Sequence, residues 1–270
     1  MSGGTTILGA GWIGRHLATS LGVTAIPQRE AVDVVPPSGG SLVIAGGRSS
    51  VAAGDDLSEV VEEECSALSA ILDRAHQVGC RVVVLGSSDV CGSAEVITGS
   101  TPVDPLTPYA RLKAARERVV VDAVDRGFDV VVARVAPVHG SGKAQTARLV
   151  RLARRRVIVV PGGVRHSVGF VTLADLTSAI LALASSDQRG VVSIGAGTTP
   201  VGDLLRALGR AQGIRPRLIS VPVPFAERLA GSRSGGVAWL GRFALPRRVA
   251  MEVAIKPMSF EATADYLTSA

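Results

Sequence analysis

The fold is decided by a segment near the start of the chain, residues 5–14, which reads TTILGAGWIG. Its apolar beginning predicts a β-strand over Thr5–Leu8, and Trp12–Leu21 predicts a helix closed by Gly22. Between them stands the pattern GxGxxG, in which glycines permit a tight turn, close approach of a diphosphate and helix–strand packing. The N–H groups at the helix N-terminus would face the phosphates. We therefore predict a dinucleotide-binding turn formed by Gly9, Gly11, Trp12, Ile13 and Gly14.

Strand-like and helix-like segments alternate beyond this turn. Further strands are predicted at Val23–Ile26, Leu42–Ala45, Arg81–Leu85 and Val130–Val135, and further helices at Leu57–Val78 and Pro108–Arg126. Alternation of this kind indicates βαβ units, and Val-rich runs suit parallel strands buried on both faces. The predicted fold class is therefore α/β, a Rossmann-type doubly wound parallel sheet with a small C-terminal substrate lobe.

Prolines recur in the last third of the chain, which predicts a less regular unit. We place an NAD(P)-binding domain at residues 1–160, with residues 168–197 packing back on it, and a smaller substrate-binding lobe at residues 198–270.

Composition narrows the function classes. The net charge of +6 and the isoelectric point near 9.9 favour an anionic small-molecule substrate. Aromatic residues are not interleaved with the basic ones, so a nucleic-acid partner is disfavoured. The three cysteines form no CxxC pair and predict neither a disulfide framework nor a metal site. The sequence shows no leader pattern and no apolar stretch long enough for a membrane span, so we expect a cytoplasmic protein.

The pair Tyr109 and Lys113 forms a YxxxK near the start of a predicted helix. A spacing of four residues places both side chains on one helix face. An ammonium beside a phenol favours the phenolate, so a tyrosine whose pKa is ordinarily near 10 can exchange protons near neutral pH. Ser87 follows a predicted strand, at the sheet edge where open α/β proteins bind ligands, and its hydroxyl can bond a substrate oxygen. We predict Ser87, Tyr109 and Lys113 as the catalytic set, with Ser88 as the alternative serine.

The end of the second strand bears on the choice of cofactor. An acidic residue there would bond the ribose hydroxyls of NAD, but this chain has Arg29, which can pair with the 2′-phosphate of NADP. We expect NADP(H) in preference to NAD(H). A solvated loop arginine is the alternative reading of Arg29.

Taken in order, these pieces resemble the extended short-chain dehydrogenase/reductases, also called the NAD-dependent epimerase/dehydratase family. The resemblance covers most of the chain. It includes the segment 101–108 before Tyr109, the segment Arg134–Gly140, which is similar to the part of the family's sequence beside the nicotinamide, and the segments 161–163 and 170–176, which look like its substrate-phosphate region.

The resemblance implies roles for individual residues. Tyr109 would be the acid/base, and Lys113 would bind the nicotinamide ribose and lower the pKa of the tyrosine. Further cofactor contacts would come from Asp33, Val34, Ala45, Gly46, Pro137 and Val138. Substrate contacts would come from Ser88, Cys91, His139 and Arg165.

The chain departs from the family pattern at several positions. Cys91 and His139 replace common tyrosines, and Glu64 replaces a frequent asparagine. Ser88-Asp89 stands where dehydratases carry Asp-Glu, so a standard 4,6-dehydratase is disfavoured. The stretch between the second strand and Leu42 is short, which predicts a missing helix on one face of the sheet.

We therefore expect an NAD(P)-dependent oxidoreductase or epimerase acting on a polar, sugar-like carbonyl or alcohol, with a nucleotide sugar as the substrate that the resemblance implies. Ketoreduction is slightly favoured because Arg29 indicates NADPH. The alternative is a non-catalytic NADP(H)-binding regulator or accessory subunit on the same fold. The resemblance also allows a homodimer.

Overall fold

A computed structural model describes residues 4–28, 30, 38–48, 50–52, 54–165, 167–195, 199–222, 248–255 and 257–269. Three of the predicted cofactor contacts, Arg29, Asp33 and Val34, lie outside these residues. Most of the stretch in which we expect a helix to be missing lies outside them as well.

The described strands and helices alternate as the sequence predicts. The strands are β1 (Thr5–Leu8), β2 (Ala25–Ile26), β3 (Ser41–Ile44), β4 (Arg81–Leu85), β5 (Val96–Ile97), β6 (Val130–Val135), β7 (Val138–His139), β8 (Val157–Pro161), β9 (Ser167–Val168), β10 (Val171–Thr172), β11 (Gly190–Ile194), β12 (Thr199–Pro200), β13 (Arg217–Val221) and β14 (Arg248–Val249). The helices are α1 (Trp12–Leu21), α2 (Leu57–Gln77), α3 (Pro108–Asp125), α4 (Ala144–Ala153), α5 (Leu173–Ala184), α6 (Val201–Arg210) and α7 (Phe260–Ser269).

Six parallel strands form the central sheet in the order β11-β6-β4-β3-β1-β2. Every residue of β3, β4 and β6 is buried, because helices cover both faces of the sheet. On one face α1 and α5 pack against the sheet, and on the other face α2 and α3 do so. The predicted Rossmann-type α/β fold is confirmed.

The local signals in the sequence set the helix ends. The Thr107 hydroxyl accepts a hydrogen bond from the Ala110 N–H at the start of α3, with Pro108 in its first turn. Asp56 caps α2 through the Ser58 N–H. Gly22, in the left-handed conformation, ends α1. In the part of the chain that the structure describes, no helix is both long and apolar enough to cross a membrane.

A buried ion pair joins α3 to the sheet. Arg134 on β6 donates two hydrogen bonds to the carboxylate of Glu117 on α3, over 3.0 and 2.6 Å. The same guanidinium donates to the carbonyl oxygens of Thr98 and Thr101, over 2.9 and 2.6 Å. Because both charged groups are buried and hydrogen-bonded, removing one would leave the other without compensation.

A second lobe has its own apolar core. Its members come from α4, β8, α6 and α7, among them Leu149, Ile158, Leu204 and Leu267. Strand β13 pairs with β8 in parallel, so the two strands form a small sheet in this lobe. Apolar side chains of α4 and β8 thus pack in this second core, although the sequence analysis placed residues 144–160 in the nucleotide domain. The proline-rich composition that suggested the boundary begins only after α4 and β8. The sequences of these two elements continue the alternation of helix and strand that is typical of a Rossmann-type domain.

The edge strand β11 is covered by a C-terminal segment. The Glu252 carboxylate accepts hydrogen bonds from the backbone N–H groups of Ser193 and Gly99, each over 2.7 Å. The Glu252 N–H in turn donates to the Ser193 carbonyl over 3.0 Å. Val249 and Val253, on either side of Glu252, belong to the core of the main sheet. This C-terminal segment therefore packs on the nucleotide domain.

The Glu117–Arg134 pair provides a stability test. Glu117→Gln should lower the free energy of unfolding by about 3 kcal/mol or more, because the Arg134 guanidinium stays buried without its counter-charge. Asp73→Asn, which breaks an exposed pair with Arg126, should change it by about 1 kcal/mol at most. Urea unfolding followed by circular dichroism measures both. Equal effects of the two substitutions would contradict the assigned role of the buried pair.

Candidate active site

The topology of the sheet creates a cleft at the carboxyl ends of β1 and β3. The helix after β1 crosses one face of the sheet and the helix after β3 crosses the other, so the chain diverges between these two strands. Open α/β sheets bind ligands at such a switch point. A cleft of about 610 Å³ lies here, lined by Ile13, Ala45, Gly46, Gly47, Arg48, Ser50, Val51, Leu85, Gly86, Ser87, Ser88, Asp89, Thr107, Pro108, Tyr109, Lys113, Val135, Ala136, Pro137, Val138, Lys143 and Gln145.

The glycine turn beside the cleft is closely packed. Gly9 has a φ of +112°, and a Cβ atom on it would overlap the backbone nitrogen of Gly46. A Cβ atom on Gly14 would overlap the carbonyl oxygen of Gly9. These two glycines therefore let the ends of β1 and β3 and the start of α1 approach one another, as the motif predicts.

The N-terminus of α1 fits the diphosphate of a dinucleotide. Gly11 is the N-cap residue and offers no side chain to bond the N–H groups of the first turn, and that turn contains no acidic residue. A Cβ atom on Gly11 would have no atom within 4 Å, so the approach to these N–H groups is open. Unpaired N–H groups and the positive end of the helix dipole suit an anionic group.

Tyr109 and Lys113 face the same cleft from α3. The Lys113 Nζ atom lies 5.6 Å from the centre of the Tyr109 ring. Tyr109 is half-buried, whereas Lys113 is only 8 % exposed. Burial, followed by the charge of Arg116, lowers the pKa of Lys113 to about 8. The ammonium is thus a cation held beside the phenol in a largely water-excluded position.

Ser87 and Ser88 enter the cleft from the end of β4. The Ser87 hydroxyl accepts a hydrogen bond from the Asp89 N–H over 3.2 Å and begins a short 3₁₀ turn, Ser88–Cys91. The Ser88 hydroxyl is buried and has no hydrogen-bond partner among the described residues. Both predicted serines therefore line the cleft that holds Tyr109.

The predicted site residues that the structure describes fall into three groups. Nine predicted site residues line the cleft: Ile13, Ala45, Gly46, Ser87, Ser88, Tyr109, Lys113, Pro137 and Val138. Gly9, Gly11, Trp12 and Gly14 form the adjoining turn and the start of α1. Cys91, His139 and Arg165 are not part of the cleft lining.

The three predicted substrate contacts outside the lining have other surroundings. Cys91 is part of the apolar core of the main sheet. His139 is buried against Phe170, and its Nδ1 atom lies 3.2 Å from the Thr146 hydroxyl. Burial, and then the charge of Lys143, lowers the pKa of His139 to about 4, so this ring is neutral near pH 7. Arg165 is exposed.

Glu64, which departs from the family pattern, finds its partner in Arg116. The two side chains form an ion pair between α2 and α3. The other oxygen of Glu64 accepts the backbone N–H of Arg48 over 3.1 Å, and Arg116 also reaches the Gly46 carbonyl over 3.4 Å. This pair ties α3 to the loop that follows β3, and so fixes one wall of the cleft.

The sequence analysis did not identify two cations of the cleft, Arg48 and Lys143. Arg48 lines it and pairs with Asp55 over 3.0 Å. Lys143 lines it from the residue before α4, and its ammonium donates to the Val138 carbonyl over 2.8 Å. The only signal for Lys143 was its rarity, since the chain has three lysines.

Comparisons with known proteins agree with this architecture. A sequence model of the NAD dependent epimerase/dehydratase family matches residues 23–195. A dTDP-6-deoxy-L-talose 4-dehydrogenase (NAD(P)(+)) from Kitasatospora kifunensis is 28 % identical over 218 residues, which are 75 % of this chain and 66 % of that protein. The match therefore spans slightly less than two thirds of the length of this relative.

Solved structures resemble the whole fold. The RMD protein of Pseudomonas aeruginosa complexed with NADPH superposes with a TM-score of 0.71 and 17 % identity, over 99 % of this chain and 98 % of that one. UDP-N-acetylglucosamine 4-epimerase from Bacillus cereus superposes with a TM-score of 0.73 and 13 % identity, over 99 % of both chains. At these identities the likeness concerns the fold.

A Rossmann-type sheet with a glycine turn at its switch point and a Tyr–Lys pair in the adjoining cleft is typical of NAD(P)-dependent enzymes of the short-chain dehydrogenase/reductase type. Because the family match covers more than half of the chain, the chain belongs to the NAD-dependent epimerase/dehydratase family. The resemblance found in the sequence is confirmed.

The buried Lys113 predicts a pH-dependent stability. Its pKa is about 8 in the folded protein and about 10.5 in the unfolded chain, so the unfolded chain binds the extra proton between these values. Relative to Lys113→Met, the wild type should gain stability as the pH rises from 8 to 10.5 and lose that gain as the pH falls to 8. Urea unfolding of both proteins across this range measures the difference, in which other titrating groups cancel. A flat difference would contradict the depressed pKa.

The open N-cap of α1 predicts a separation of stability from nucleotide binding. Gly11→Asp should keep or raise the melting temperature, because Asp is a favourable N-cap with space around it. It should weaken NADP⁺ binding at least about tenfold, because a carboxylate would occupy the N–H groups and repel phosphate. Gly11→Ser, a neutral cap, should weaken binding less. Calorimetric titration checks all three proteins, and unchanged affinity in Gly11→Asp would exclude this helix end from the site.

Proposed function

We propose that this enzyme is an oxidoreductase that exchanges a hydride between NADP(H) and a carbonyl or alcohol of a nucleotide sugar, with Tyr109 as the acid/base. One observation carries the proposal: the cleft at the switch point is lined by Ser87, Tyr109 and Lys113, and also by Ile13 of the glycine turn. An accessory subunit that only binds the cofactor has no need of a Tyr–Lys pair in this place.

The side chains divide the chemistry among them. Tyr109 donates a proton to the oxygen of a ketone that is being reduced, or accepts one from an alcohol that is being oxidised. The Lys113 ammonium lies beside the Tyr109 ring and stabilises the phenolate, which lowers the barrier to both transfers. Ser87 donates a hydrogen bond to the same substrate oxygen and holds it near the phenol. A bound nicotinamide supplies the hydride acceptor or donor.

The substrate class follows from charge and from the relative. The cations Arg48, Lys113 and Lys143 line the cleft, which suits a substrate that carries a diphosphate. The Kitasatospora relative is named for the C4 oxidation of a dTDP-6-deoxy sugar. We therefore infer that this enzyme reduces a 4-keto sugar nucleotide, or oxidises the matching alcohol, in preference to epimerising it. Ser88-Asp89 in place of the dehydratase pair argues against 4,6-dehydration.

The cofactor preference rests on Arg29, which can pair with the 2′-phosphate of NADP. We expect NADPH to be used with a lower KM than NADH, whereas a clear preference for NADH would remove Arg29 from the site. Cytoplasmic localisation and a homodimer remain part of the proposal.

Removal of the Tyr109 hydroxyl tests the mechanism. Tyr109→Phe should lower kcat by about 10²- to 10⁴-fold, because the proton transfer loses its donor, and should leave NADP⁺ affinity nearly unchanged. Tyr266→Phe is the matched control, because Tyr266 is the other tyrosine of the chain and lies on α7 outside the cleft lining. Absorbance at 340 nm with dTDP-6-deoxy-L-talose, other nucleotide sugars, NADP⁺ and NAD⁺ follows the reaction.

The outcomes separate the alternatives. Full activity of Tyr109→Phe on a turned-over sugar nucleotide would refute the acid/base assignment. NADP⁺ binding by the wild type without turnover of any sugar nucleotide would favour the accessory-subunit reading.

A further inference from the structure

Lys143 is a cation of the cleft for which the proposed acid/base chemistry has no use. It follows the turn Ser141-Gly142 and precedes α4, the first helix of the smaller lobe. Its ammonium donates to the Val138 carbonyl over 2.8 Å and lies 5.0 Å from the centre of the Trp12 ring. Trp12 is the first residue of α1, directly after the N-cap Gly11. A side chain from the smaller lobe thus lies beside the glycine turn of the nucleotide domain.

The contacts of Lys143 do not neutralise its charge. Within the described residues no carboxylate lies in ion-pair distance of it, whereas the cleft arginine Arg48 is paired with Asp55. Burial lowers the pKa of the Lys143 ammonium, so its environment lacks the opposite charge that would stabilise the charged form. A partly buried cation without a counter-charge favours binding of an anion.

A second polar group in the cleft also lacks a partner. The Ser88 hydroxyl is 1 % exposed, lines the same cleft and has no hydrogen-bond partner among the described residues. Buried hydroxyl groups are ordinarily hydrogen-bonded, so the lining of this cleft contains a second polar group without its usual partner.

The turn that precedes Lys143 also holds the Trp12 side chain in place. Its indole N–H donates to the Ser141 carbonyl over 2.8 Å, so the turn that carries Lys143 is tied to the first turn of α1. Gly142 has a φ of +76°, which lets this turn pass close to the indole. Lys143 is therefore held beside the side chain of the first residue of α1, the helix whose N-terminal N–H groups suit a phosphate.

We propose that Lys143 binds the diphosphate of a nucleotide in the cleft, supplying from the smaller lobe a charge that complements the N–H groups of α1. The inference rests on the proposed function, since both place a nucleotide here. Two sources offer the same chemistry: the diphosphate of the cofactor and the diphosphate of a sugar nucleotide.

Calorimetric titration of the full-length protein with separate probes tests this. ADP-ribose represents the cofactor diphosphate, UDP represents the substrate diphosphate, and nicotinamide mononucleotide contains a single phosphate. Lys143→Met, whose chain keeps the packing on Trp12, should bind one diphosphate probe about tenfold more weakly, and mononucleotide binding should change less. Lys143→Arg should retain most of the affinity because it keeps the charge. Arg148→Met, which removes an exposed charge on α4 outside the cleft lining, is the matched control and should match the wild type.

Each result has a defined meaning. Weaker ADP-ribose binding supports the inference and names the cofactor as the source, and weaker UDP binding supports it and names the substrate. Unchanged affinity for both probes in Lys143→Met and in Lys143→Gln overturns it, and if turnover of the sugar nucleotide persists, the proposed function stands. Failure of the wild type to bind any nucleotide would overturn the inference and the proposed function together. Melting curves of all variants establish that the compared proteins are folded.

Discussion

The placement of α3 depends on buried charges that hold it from two sides. Glu117 pairs with Arg134 on β6, and the preceding residue, Arg116, pairs with Glu64 on α2. Residues 116 and 117 follow Lys113 by three and four positions, so the helix faces that carry these pairs adjoin the face that carries Lys113 and Tyr109. These charges are buried except for that of Glu64, which is partly exposed, and a buried charge needs its partner, so α3 has little freedom to slide along the sheet. The geometry of the Tyr–Lys pair is therefore set by residues that never reach the cleft.

Local sequence signals were sufficient for most of the nucleotide domain. A few consecutive residues are enough to predict the Val-rich strands β4 and β6, the Thr107–Pro108 start of α3 and the glycine turn. The structure agrees with these local signals. Nine of the predicted residues line the cleft, because the carboxyl ends of parallel strands meet at one edge of the sheet.

Long-range pairing was beyond the sequence. The sequence around Glu117 does not indicate that it pairs with Arg134, and the sequence around Glu64 does not indicate Arg116, since each partner lies on another element. The packing of α4 and β8 with α6 and α7 in one apolar core could not be predicted for the same reason, because α4 and β8 continue the alternation of strand and helix and their partners lie on later elements. Cys91 and His139 occupy pattern positions near the site, but their side chains contribute to packing away from the cleft lining.

The Glu252 carboxylate at β11 has a consequence for solubility. An edge strand ordinarily presents free N–H and C=O groups on which a foreign strand can extend the sheet, a common route to aggregation. Here the Glu252 carboxylate accepts the Ser193 N–H and the Glu252 backbone N–H donates to the Ser193 carbonyl, so both backbone groups of this residue near the end of β11 are occupied. A strand from another molecule could pair here only by displacing Glu252 from Ser193. Glu252 therefore disfavours intermolecular β-pairing at this edge.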